Sequence, residues 1–136
     1  TLAPFDPPAP MDPGPIETVE PDHHNWWLVH DLNANEVRLA IRQDDGITYL
    51  ADTDTTFSDF NTETYSFQGN AYDTLRIETQ YERSLWRNDW HIKTVTRAVV
   101  TSDSTQFHVS ADLDAYEGDR RIFTKSWHRR FDRDLV

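Results

Sequence analysis

The side chains of this 136-residue chain that could do chemistry are six histidines and 24 carboxylates. Their spacing matches none of the common catalytic patterns. A nucleophile elbow needs Gly-x-Ser-x-Gly on a strand-to-helix turn, and the four glycines here are never so spaced. There is no glycine-rich phosphate loop and no His-Glu-x-x-His pair. With no cysteine, thiolate catalysis, disulfides and Cys-based zinc sites are excluded. Asp112 and Asp114 alternate with Leu113 and Ala115, the pattern of solvated strand positions rather than of an acid pair facing a substrate. His23 and His24 are adjacent, so on a strand they point to opposite faces. His91 and His108 fall on polar positions of neighbouring strands, and His128 lies near the C-terminus; a cross-strand pair of these would lack a third ligand at fixed spacing. The expectation is that no residue is catalytic, cofactor-binding or metal-ligating.

The aromatic residues carry more information. Trp86 and Trp90 flank one tight turn, where a sugar-binding module could display a stacking platform. Trp90, Phe107, Phe123 and Trp127 occupy alternating positions and read as core. Trp26-Trp27 is different, because on a strand one of the two must face outward; beside a Pro-rich segment this suggests a surface covered by another domain. Six of the 13 basic residues (Arg120, Arg121, Lys125, Arg129, Arg130 and Arg133) sit in the last segment, a docking face for the chain's own acids or for a neighbour.

These residues need elements to hold them. All seven prolines lie between Pro4 and Pro21, so Thr1 to about Pro21 cannot be a helix and reads as a semi-rigid, extended spacer or strap. Leu2, Phe5, Met11 and Ile16 would be its apolar pegs. We divide the chain into a Pro-rich linker or strap, 1–24, and an antiparallel β domain, 25–136. Trp26–Leu32 and Glu36–Arg42 read as strands, Asp44-Asp45-Gly46 as a hairpin turn and Ile47–Ala51 as the returning strand. Asp52–Thr64 reads as a loop holding one short strand near Phe57, and Tyr65 and Phe67 mark another. From Leu75 onward, four long stretches alternate with period two, the first of them, Leu75 to Leu85, broken only at Arg83. Turns fall at Arg87-Asn88-Asp89, Ser102-Asp103-Ser104 and Glu117-Gly118-Asp119. No window carries a helical stripe. The expected fold is all-β: an antiparallel meander, one face buried and one wet, with the shorter N-terminal strands supplying a second layer to give a jelly-roll-like sandwich or a partly open barrel.

The net charge of −11 opposes a nucleic-acid or anionic-membrane partner. No apolar run approaches the roughly 20 residues of a membrane span. No signal peptide precedes the spacer, so the expected location is cytoplasmic.

Several runs resemble a known family: Phe5-Asp6-Pro7-Pro8, Trp27–Leu32, Leu75–Glu78, Asp89–Thr94, the hairpin Phe107–Gly118 with its Leu113-Asp114-Ala115-Tyr116-Glu117-Gly118, and the ending Phe123, Trp127 and Arg133-Asp134-Leu135-Val136. They resemble the C-terminal β-rich extension of bacterial hydrolases of the cocaine-esterase and Xaa-Pro dipeptidyl-peptidase type. In that family an α/β-hydrolase domain with a Ser-His-Asp triad is followed by a jelly-roll domain. The resemblance covers nearly the whole chain. It departs at Asp132, where the family commonly has proline, and none of the family's catalytic positions has a counterpart here. It implies a non-catalytic accessory domain that packs on, or oligomerises, the catalytic part of a serine hydrolase. The rival expectation is a free-standing binding module for a sugar or apolar ligand. Either way, an apolar patch around Trp26-Trp27, Phe5 and Ile16 should drive weak homodimerisation, or else be covered by the chain's own Pro-rich segment.

Overall fold

Alternating Thr, Val, Ile and aromatic residues favour a pleated backbone, and the computed structural model, which describes residues 14–134, is almost entirely strand. The strands are β1 (Ile16–Glu20), β2 (His23–Asp31), β3 (Glu36–Leu50), β4 (Thr55–Gln68), β5 (Ala71–Arg87), β6 (Trp90–Ser102), β7 (Gln106–Glu117) and β8 (Arg120–Asp132). One 3₁₀ turn, Ala51–Thr53, joins β3 to β4. Every pairing is antiparallel, and β3 to β8 run as an unbroken meander. No described helix is long and apolar enough to cross a membrane.

The antiparallel meander agrees with the alternation in the sequence. Its layering differs from the sandwich expectation: all eight strands form one sheet, which does not close into a barrel. The N-terminal strands do not make a second layer, because β1 and β2 both pair with β3, end to end along one edge. The strap therefore contributes Ile16–Glu20 to the sheet; its pegs Leu2, Phe5 and Met11 lie outside the described residues.

Asp44-Asp45-Gly46 is not a hairpin turn. β3 passes straight through it, and Asp45 and Gly46 together stand opposite Asp59 alone, between the pairs Asp44–Phe60 and Ile47–Ser58. This is a β-bulge, which needs the same positive φ as a turn; Gly46 has φ +70°. Its missing side chain also lets the edge strand cross close by, since a Cβ on Gly46 would lie 2.2 Å from the Glu20 carbonyl oxygen. Asp52–Thr64 is likewise not a loop but the 3₁₀ turn and most of the 14-residue β4. The turns at Arg87-Asn88-Asp89, Ser102-Asp103-Ser104 and Glu117-Gly118-Asp119 fall where the sequence places them.

The register sorts side chains into two faces. Val37, Leu39, Ile41, Phe57, Ile77, Leu85, Ile92, Val100, Val109, Leu113, Phe123 and Trp127 share one, the apolar face. Arg38, Arg42, Glu78, Glu82, Lys93, Arg97, Asp112 and Asp114 share the other. The expected burial of one face does not occur among the described residues. Among the described residues no apolar side chain is buried, and Trp90 and Phe123, read as core, are 43% and 48% exposed. A single layer has nothing to bury them against.

Candidate functional site

The side chains read from sequence as possible chemistry are dispersed. Asp112 and Asp114 lie on the polar face, where Asp112 accepts a 2.5 Å hydrogen bond from Ser126 Oγ and Asp114 pairs with Arg121 at 3.4 Å. His91 and His108 sit at opposite ends of the β6–β7 pair, so they form no cross-strand site. His91 stands edge-on to Trp86, with ring centroids 5.8 Å apart, and His108 Nε2 lies 2.7 Å from Asp103 Oδ2 in the β6–β7 turn. His24 contacts Asp45 at 3.1 Å, on the face opposite His23. Among the described residues no group of three or more His, Asp or Glu could hold a metal. Trp86 and Trp90 point to opposite faces, because Trp86 pairs with His91 and Trp90 with Arg87, so they make no shared stacking platform.

The organised surface is the apolar face, which is crossed at mid-strand by a polar band that sequence reading missed. Asp59 on β4 and Arg83 on β5 are directly opposed. Arg83 Nε donates to Asp59 Oδ1 and Nη2 to Oδ2, both at 2.6 Å, and Tyr81 Oη donates to Oδ1 at 2.7 Å. One strand step further, Glu63 accepts from Asn61 Nδ2 at 2.9 Å and from Tyr65 Oη at 2.5 Å, while Asn61 also donates to Gln43 at 3.2 Å. Asp59 is 8% exposed, so its charge is tolerable only because three donors meet it.

The electrostatics follow from these contacts. The hydrogen bonds from Arg83 outweigh desolvation and hold the Asp59 carboxyl below its usual range. Asp59 raises the Arg83 guanidinium in return. Burial, then Asp59, pushes the Tyr81 phenol up. Tyr65, then Asn61, lowers Glu63, and Glu63 raises Tyr65. Each acid is thereby kept ionised and each phenol protonated. The band ties these side chains to one another as a polar lock within an apolar surface.

The bases of the last segment are split by the pleat. Arg120 and Arg121 pair with Glu117 and Asp114, whereas Lys125, Arg129 and Arg130 have no carboxylate within 4.0 Å among the described residues. Lys125 lies over the Trp127 ring at 5.1 Å. Trp26 is 64% and Trp27 43% exposed, one on each face of the sheet. No family model, curated protein or solved structure matches the chain.

Proposed function

We propose that this chain is a non-catalytic accessory β domain of a serine hydrolase of the esterase or peptidase type, and that its apolar face packs on or oligomerises the catalytic part. The observation that carries this reading is a 136-residue chain with no buried apolar side chain among its described residues. A domain of this size normally removes well over half of its surface from water, so a sheet with one uncovered apolar face is half of an interface. The resemblance of the Phe107–Gly118 hairpin and the flanking runs supplies the kind of parent. The dispersed histidines and the hydrogen-bonded acids of the polar band support a reading without catalysis.

The test has two arms. An esterase substrate and an Xaa-Pro anilide should show no turnover above buffer with this chain. Saturable turnover that a single substitution abolishes would overturn the reading. Sequencing the gene upstream of the Thr1 codon should find the frame continuing into an α/β-hydrolase, and a start codon there with no such domain would also overturn it.

A further inference from the structure

The same face has a pattern that selects its occupant. Three adjacent rows of paired residues cross the whole sheet from the β2 edge to the β8 edge. One begins at Trp26 and ends at Trp127, the next runs from His24 to Lys125, and the third from Leu28 to Arg129. The polar band keeps nearly the same height across the central strands, with Asn61, Tyr81 and Thr96 in one row. A rotation of 180° about an axis parallel to the strands, near the central strand β5, swaps the two edges and preserves row height. It therefore lays each row on itself reversed, with Asn61 over Thr96, Tyr81 over Tyr81, Leu39 over Val109 and Trp26 over Trp127, while Glu63 of the band meets Ala98.

The edges are also complementary in charge. On the apolar face β8 presents Arg120, Lys125 and Arg129, while Arg121 and Arg130 register with the other face. The β1–β2 edge carries no Lys or Arg, and its acid beside the apolar face is Asp22, since Glu17, Glu20 and Asp31 register with the polar face. On the apolar side, Asp45 and Asp22 surround His24 at 3.1 Å and 4.0 Å, at the end of the row whose other end is Lys125. The alternative rotation, about an in-plane axis across the strands, would lay β8 on β8 and bring the bases of this face, Lys125 and Arg129 among them, against their own kind.

Area points the same way. Seven strand positions spaced about 4.8 Å apart, with strands about 40 Å long, offer on the order of 1,300 Å² per copy. A standard stable interface uses about 800 Å² per partner.

We infer that a second copy of this chain covers the apolar face, related by a two-fold axis parallel to the strands, and that the pair forms a two-layer sandwich. Trp26 of each copy then stacks near Trp127 of the other, and the carboxylates around His24 receive Lys125. Sheets packed face to face keep their strands within about 30° of each other, which this rotation satisfies. The inference rests on the accessory-domain reading only in taking the apolar face as an interface.

The chain has no cysteine, so engineered thiols report cleanly. His24→Cys and Lys125→Cys, prepared separately, are mixed and treated with a short bis-maleimide. Within one sheet the two positions are about 29 Å apart, and each variant has only one thiol, so any product joins two copies. The mixture should give crosslinked dimer at least tenfold above either variant alone. Leu28→Cys with Arg129→Cys repeats the test at the next row, and far-UV circular dichroism checks that the sheet persists. Crosslinked dimer from a single variant in a yield equal to or above that of the mixture would overturn the axis and with it the inference. No product at either row, with a monomer in sedimentation, would overturn the second copy itself. Neither result touches the assays for turnover, so failure here is separable from failure of the accessory-domain reading.

Discussion

Arg83 holds Asp59 through two parallel hydrogen bonds of 2.6 Å, across the β4–β5 ladder and in the middle of an otherwise apolar face. The Asp59 side chain is 10% exposed and that of Arg83 50%, so the pair is neither a surface bridge nor a buried one. Replacing Arg83 by Met strands the carboxylate with Tyr81 as its remaining side-chain donor. Discounting the full buried-pair cost for the exposure of Arg83, the loss should be about 1–2 kcal/mol. Asp59→Leu with Arg83→Met removes the stranded charge, and the double variant should be at least about 1 kcal/mol less destabilised than the sum of the single ones. Urea unfolding at one fixed protein concentration measures the cycle; additive losses would mean that the two groups do not act as a pair.

Stability should form a broad plateau in pH. Asp31, Asp59, Glu63 and Asp103 all have carboxyl groups held below their ordinary range by hydrogen bonds. A lowered acid contributes stability that is complete above its unfolded value, near 4, and lost as pH falls through the lower folded value. Tyr49, Tyr65 and Tyr81 are raised, so their contribution is complete below about 10 and lost as pH rises through the higher folded values. Urea midpoints should stay level from about pH 5 to pH 9 and fall on both sides. Asp103→Asn should make the acid limb shallower. A fall beginning between pH 6 and 7 would point instead to histidine ionisation and contradict this account.

Gly46 and Gly118 both have positive φ, +70° and +56°, yet alanine should affect them differently. At Gly118 nothing lies within 4 Å of the added Cβ, so the expected loss is the left-handed backbone term alone, about 1–2 kcal/mol. At Gly46 the Cβ would meet the Glu20 carbonyl oxygen at 2.2 Å and the Pro21 carbonyl carbon at 2.7 Å. Backbone there has to move, and the junction between β1 and β2 should open. Gly46→Ala should therefore be the more destabilising change, with faster amide exchange at Ile16–Glu20. Equal losses at the two sites would show that the bulge does not hold the edge.

The parts of this fold that were hard to read from sequence are the parts that make the candidate site. β5 to β8 were legible because their apolar residues, such as Leu75, Ile77, Leu85, Val100, Val109, Leu113, Phe123 and Trp127, recur in one alternating set between short turns. β4 was hidden because Asp59, Asn61 and Glu63 take the apolar-face positions between Phe57 and Tyr65, so its alternation reads polar throughout. Arg83, which interrupts the alternation of β5, is the cross-strand partner of Asp59. Two opposite charges breaking two apolar stripes were the available signal, and pairing them needs a register that the sequence does not state. The Asp44-Asp45-Gly46 bulge was read as a turn because both features need positive φ. Burial was the other failure, since whether an apolar stripe is covered depends on what lies across from it and not on the strand itself.

Association should tighten with salt, although the two edges are complementary. A net charge of −11 makes two copies repel over their whole extent, whereas exposed ion pairs such as Lys125 with the carboxylates near His24 contribute about 0.2–1 kcal/mol each. At 0.01 M salt the screening length is about 30 Å, comparable with the width of the sheet, and at 0.15 M it is about 8 Å. For two layers packed about 10 Å apart, the monopole repulsion then drops about two- to threefold, while the close ion pairs weaken less. The apolar contribution, which scales with the area removed from water, is retained. Sedimentation equilibrium should therefore give a lower dissociation constant at 0.15 M than at 0.01 M salt, with little further change up to 0.5 M. Trp26→Arg places a cation where Trp127 of the other copy should stack, and should shift the chain to monomer at all three salts without altering the β signal in circular dichroism. Association that weakens steadily from 0.01 M to 0.5 M would mean that the charged edges, and not the apolar rows, hold the copies together.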